Sequence, residues 1–200
     1  MSMIMDLLQQ QLGGDAVKEM SRQVGADERA TQNVLGAALP MLMGALARNA
    51  QSGQGAESLL GALQRDHDGS VLDNVMGYLG KGDTADGSAI LNHVLGGRQG
   101  RVEQGLAKTS GLDMGQVSKL LAMAAPLVLG ALGKQQRQRG MDANGLASLL
   151  GGERQTLEQK APAEMGLLGN LLDADGDGDV DMQDIAKKGL GMLGGLFGNK

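Results

Sequence analysis

Apolar positions along this chain gather into two runs of fourteen residues, Val34–Ala47 and Leu120–Gly133, with shorter apolar segments broken by glycine around them. Runs of that length are too short to span a bilayer and are typical of buried helices. The two runs also resemble each other. VLGAALPMLMGAL (34–46) aligns without gaps to LLAMAAPLVLGAL (120–132), and Gly25-Ala26-Asp27 matches Gly111-Leu112-Asp113 at the same 86-residue offset. Downstream, Ser58-Leu59-Leu60-Gly61 recurs as Ser148-Leu149-Leu150-Gly151, and an LGG triplet precedes each unit at Leu12 and Leu95. The pattern predicts an all-α protein, a pseudo-two-fold helical bundle built from two similar halves; two copies are too few for a solenoid.

Each unit has a local logic. Gly25 or Gly111 ends one helix in a left-handed cap, and Asp27 or Asp113 caps the next, with Gln116 completing a capping box in the second copy. Pro40 and Pro126 fall inside the long helices, where a missing donor and a steric clash cost about 3 kcal/mol or more, so a kink is expected. Gly36 and Ala122 stand four residues before these prolines, and Gly44 and Gly130 four after. Such a smooth stripe lets backbones approach closely, and the expectation is that the two long helices pack on each other along it at the centre of the bundle.

Beyond Leu150 the apolar periodicity fades. ERQTLEQKAPAE (153–164), with its proline, reads as a linker. The expected organisation is a duplicated helical domain over 1–152, the linker over 153–164, and a C-terminal helix-loop-helix over 165–200. The exit helix of that last segment, DIAKKGLGMLGGLFGNK, is apolar on one side and carries Lys187 and Lys188 on the other. That side can bury on the body, on a partner or at a membrane surface, the first being the commonest outcome.

The linker leads to the one segment whose chemistry is specified. Residues 173–184 read DADGDGDVDMQD, six of the twelve being aspartate. Their spacing is that of a calcium-binding helix-loop-helix, with ligands at positions one, three, five, seven, nine and twelve and a glycine at six. Asp173, Asp175 and Asp177 then supply carboxylates, Gly178 the turn, Asp179 a carbonyl, Asp181 a water-mediated contact and Asp184 the closing ligand. Val180, at position eight, anchors the loop. Hard oxygen ligands without a nearby histidine or cysteine favour calcium over zinc. Carboxylates about 4 Å apart repel by roughly 1 kcal/mol in water and about 4 kcal/mol at an effective dielectric of 20, so the empty loop resists closure and the ion orders it. Asp184 is shorter than the usual glutamate, which brings the exit helix closer to the ion or weakens coordination. The first half holds an acidic turn of its own, DHDGSVLDN (66–74), aligned through Asp68-Gly69 with Asp177-Gly178. Gln64 and Val75 replace its first and last ligands, so it reads as a decayed or capping turn. Asp86-Gly87-Ser88 reads as a helix N-cap.

Composition narrows the rest. With 42% apolar residues and only Tyr78 and Phe197 aromatic, the core is built from Leu, Met, Val and Ala. The net charge of −5 comes from the loop: without its six aspartates, 17 acids stand against 18 bases. No field gathers nucleic acid, and Lys134, Arg137 and Arg139 read as cations favoured near a helix C-terminus. Zero cysteines and an N-terminus without a secretory pattern fit a cytoplasmic protein.

D-x-D-x-D-G-x-V-x-x-x-D-I, from Asp173 to Ile185, resembles the dockerin type of calcium loop, in which aspartate closes the site. Dockerins carry two such loops and this chain has one complete, so the resemblance implies metal binding and does not establish a cohesin-like partnership. Residues 90–135, through HVLGG, SGLD and APLVLGALGK, resemble the YidB-like bacterial domain of unknown function. That resemblance implies an all-helical bacterial protein, often with an acidic DxDGDG segment, and no activity.

Catalysis finds little support. His67 and His93 are the only histidines, and no nucleophile elbow, phosphate-cradling loop or zinc spacing occurs; Arg98 and Arg101 beside Gly96-Gly97 read equally well as a phosphate contact or as surface charges after a helix turn. The expectation is a non-enzymatic calcium-binding helical scaffold whose C-terminal segment is ordered by the metal. The alternatives are a self-assembling or partner-binding protein with a purely structural metal, or a membrane-surface binder acting through the exit helix.

Overall fold

A computed structural model describes residues 3–160, and over that span the backbone is helical between caps and turns. In chain order the elements are α1 (Met3–Gln11), α2 (Gly14–Val24), α3 (Glu28–Asn49), α4 (Gly53–Arg65), a 3-10 turn (Ser70–Asn74), α5 (Val75–Gly80), α6 (Ala85–Leu95), a second 3-10 turn (Gly96–Arg98), α7 (Gln99–Ser110), α8 (Met114–Arg139) and α9 (Ala143–Lys160). No strand occurs among the described residues, as the scarcity of aromatic and β-branched runs predicts.

The predicted starts and stops of the long helices are present. Gly25 and Gly111 adopt left-handed geometry, with φ of 65° and 76°. Asp27 accepts the amides of Arg29 and Ala30, satisfying two donors that the first turn of α3 would otherwise leave open. Asp113 and Gln116 form the full capping box on α8. The Gln116 amide also donates to the carbonyls of Val24 (3.2 Å) and Gly25 (3.1 Å), tying the end of α2 to the start of α8. The Asp86 cap is corrected. Ala85 already begins α6, and Asp83 accepts its amide at 2.9 Å, so Asp86 sits inside the first turn.

Helix α8 is the hub. Residues 120–133 are buried without exception, and α1, α2, α3, α4, α6, α7 and the 70–74 turn all pack against it. Burying five leucines in that stretch at about 1.5–3 kcal/mol each supplies a large share of the folding drive. Helix α3 packs on α8 as expected, and both run unbroken through their prolines. By length and composition alone either could cross a bilayer; here 56% and 78% of their most apolar windows are buried inside the fold.

Two expectations are overturned. The stripe of small residues is not where α3 and α8 approach most closely, because a methyl group added at Gly36 or Gly44 meets no atom within 4 Å. The closest approach is between α6 and α8, where a methyl at Gly87 would run into the backbone carbonyl of Ala122. The linker does not begin at Glu153 either. Helix α9 continues to Lys160, since Leu146, Leu150, Glu153 and Leu157 recur at helical spacing and are all buried, with α9 lying against α3 and α4. A glutamate within an otherwise apolar row hid that continuation from a reading by hydropathy.

Candidate functional site

The aspartates of the predicted calcium loop, Asp173, Asp175, Asp177, Asp179, Asp181 and Asp184, lie outside the described residues. Among the described residues no three His, Asp or Glu side chains gather into a group able to hold a metal ion. What is described is the first-half acidic turn that aligns with the loop, and the manner in which it is held.

The turn leaves α4 at Arg65 and doubles back on the last third of α8. Asp68 accepts the Ser70 amide at 2.9 Å, and Gly69, at φ 99°, carries the chain into the 70–74 turn in a conformation that suits glycine. Glycine is required there for a second reason: a Cβ at Gly69 would stand 2.9 Å from Lys134 Cβ. The opposite surface is equally bare. A methyl at Gly130 would meet Val71 Cγ1 at 2.5 Å, and one at Gly133 would run into the His67 carbonyl. Backbone therefore lies on backbone, and α8 provides the cations that hold it.

Arg137 reaches Asp68 three times. Its guanidinium pairs with the Asp68 carboxylate at 2.8 Å and donates to the Asp68 carbonyl at 3.0 Å through Nε and at 2.6 Å through Nη2. Lys134 stands 3.7 Å from the Asp73 carboxylate. Hydrogen bonds from Ser70, with the Arg137 charge beside them, hold the Asp68 carboxyl below the ordinary aspartate range. The basic cluster thus does more than sit near a helix end. Arg137 does lie in the last turn of α8, but its partner is the turn 69 residues earlier. Opposite charges on the two segments were the available signal.

Of the two histidines, His67 is half-buried in this turn and His93 is exposed in the last turn of α6. The one tyrosine is a site that sequence reasoning missed. The Tyr78 hydroxyl is buried with no hydrogen-bond partner, and burial together with Asp86 and Asp83 pushes its pKa up to about 12.

A groove of about 500 Å³ runs between α1, α2 and the first half of α3. Leu12, Val17, Leu35 and Leu39 are among its apolar lining, Gln9, Glu28, Arg29 and Gln32 are its polar residues, and Gly36 also lines it.

A family model described as a bacterial protein of unknown function (DUF937) matches residues 6–135, from α1 to the last turns of α8. The chain belongs to this family. The matched span includes α3, α8 up to residue 135 and the acidic turn seated on α8, and it ends before Arg137, α9 and the aspartate-rich segment. No curated protein and no solved structure matches the chain.

Proposed function

We propose that this protein is a non-enzymatic helical scaffold, pseudo-two-fold in design, whose C-terminal aspartate loop binds calcium and is ordered by it. The observation that carries the reading is the ligand spacing of Asp173, Asp175, Asp177, Asp179, Asp181 and Asp184 around Gly178. The way α8 holds the first-half turn supports it. There a guanidinium from α8 neutralises Asp68; at the 86-residue offset the place of Arg137 is taken by Gln51, just past the end of α3. The second-half loop has many more carboxylates and no guanidinium in that position, so a divalent cation takes over the neutralising role.

The pairing of helices supports the pseudo-symmetry. Helix α2 packs on α3 and also on α8, while α7 packs on α8 and also on α3; α1, which runs into the first LGG, lies on α8, and α6, which runs into the second, touches α3. Each half thus lends short helices to the long helix of the other, while α6 packs chiefly on α8, the long helix of its own half.

Calorimetric titration of the full chain with calcium tests the reading. The expected result is a binding isotherm that disappears in Asp173→Ala/Asp177→Ala. If only the folded loop binds, a hundredfold excess over Kd adds about 2.7 kcal/mol to stability. Absence of heat, or an isotherm unchanged in the double variant, removes the proposal.

A further inference from the structure

The two long helices are matched in sequence and unequally covered. On α8, Ala122, Met123, Pro126, Leu127 and Gly130 are buried, Ala122 beneath Gly87 of α6 and Gly130 beneath Val71 of the acidic turn. The residues 86 positions earlier on α3 are Gly36, Ala37, Pro40, Met41 and Gly44. Gly36 is exposed and the other four are only half-buried, although all five are apolar or glycine. They form one continuous face, because spacings of three and four residues return to the same side of a helix. Neither Gly36 nor Gly44 has an atom within 4 Å of where its Cβ would be, and at Gly36 the face opens into the groove between α1, α2 and α3.

Chain order indicates what belongs there. On α8 the covering pieces are those that follow α4: the 66–74 turn and α6. Helix α9 shares its SLLG motif with α4, packs on α3 and α4, and is followed by forty residues that contain the aspartate loop aligned with that turn. The chain leaves the described body from a helix already lying against α3. The five residues from Lys160 to Met165 reach at most roughly 17 Å, so the segment that follows is tethered to a helix that itself packs on α3. That face is about 12 Å long at a rise of 1.5 Å per residue, so a helix of about two turns would span it. The glycines and leucines of GLGMLGGLFG (189–198) supply a surface of matching smoothness and apolarity.

We propose that residues 165–197 of the same chain lie along the α3 face formed by Gly36, Ala37, Pro40, Met41 and Gly44, covering α3 as the acidic turn and α6 cover α8. The segment thereby completes the second half of the bundle. This docking extends the scaffold reading and does not require that the loop hold calcium.

The chain has no cysteine, so Asn33→Cys introduces a unique thiol at an exposed position one turn before Ala37. A nitroxide attached there in uniformly nitrogen-15-labelled full-length protein reports neighbours by paramagnetic broadening. The expected result is at least a twofold loss of amide intensity within residues 165–197, in calcium or in chelator, and its reversal in Asn33→Cys/Met41→Glu with the body still helical by circular dichroism. Mixing spin-labelled unenriched chain with enriched unlabelled chain separates the occupants: broadening only in the mixture means that a second copy lies on the face and overturns the proposal. Unaffected tail amides in both calcium and chelator also overturn it, while leaving a calorimetric calcium signal intact, so the docking and the calcium site fail separately.

Discussion

Gly87→Ala on α6 provides the sharpest test of the packing. In an isolated helix alanine is favoured over glycine by about 0.8–1 kcal/mol, so propensity alone predicts a more stable protein. The structure predicts the reverse. The added Cβ would overlap the Ala122 carbonyl, both contact surfaces are backbone, and neither can turn aside as a side-chain end could. Relief requires α6 to retreat from α8, loosening Ile90, Leu91, Val94 and Leu95, all buried on that helix. Overpacking of a close-packed contact costs about 1–3 kcal/mol, and a backbone clash belongs at the upper end. Taking about 3 and subtracting the propensity gain leaves a net loss of roughly 2 kcal/mol, or about 4–8 °C in Tm for a chain of this size. Thermal and urea unfolding followed by circular dichroism measure it. Gly105→Ala is the control: Gly105 lies within α7 with no atom near its would-be Cβ, so the same substitution there raises Tm by about 2–4 °C. If Gly87→Ala is as stable as the parent, the α6–α8 contact is not backbone on backbone and the account of the α8 interface is wrong.

Tyr78 is the only tyrosine, so the tyrosinate absorbance reports one site; it should rise near pH 12 rather than pH 10. Because the folded pKa is raised, the stability tied to the neutral phenol is complete below pH 10 and disappears as pH climbs from 10 to about 12. Tyr78→Phe, which removes a buried hydroxyl without a partner, should leave stability at neutral pH unchanged or higher and remove that alkaline loss. An unfolding curve at pH 11 that coincides with the one at pH 8 would contradict this. Arg137→Ala should lower the urea midpoint and Arg137→Lys should recover little of it, because the lysine ammonium cannot reproduce the fork that reaches both the carboxylate and the carbonyl of Asp68. Acid should act in the same direction on the parent: the Asp68 carboxyl titrates lower in the folded chain, so its contribution is present above the ordinary aspartate pKa and fades as pH falls through the lowered value. Full rescue by lysine would mean that the contact is a simple charge pair.

Caps and hub were legible in the sequence because each rests on local information. Asp27, Asp113 and Gln116 act within three residues of their own helix starts, and the apolar run from Leu120 to Gly133 has no polar face to offer solvent. What was not legible is which segment meets which. The smooth positions on α8 receive α6 and the acidic turn rather than α3, a choice made by residues 35 to 66 positions away and invisible to periodicity. The acidic turn, legible as a decayed or capping turn, is also ion-paired to α8, which the sequence hides because Arg137 stands 69 residues from Asp68. Of the candidate site, the number and spacing of the aspartates are legible in the sequence, and the residues that carry them lie outside the described ones.

The position of the hub also bears on biosynthesis. Helices α1 to α6 are translated before α8, and five of those six pack directly against it. A nascent chain halted at residue 113 therefore has α3 for α2, α6 and α7 to meet but lacks the helix on which most of its elements converge. Closure of the core waits for Arg139 to emerge from the ribosome, and many sequence-distant contacts then form together, so the apolar faces that α8 covers stay open until that point in synthesis.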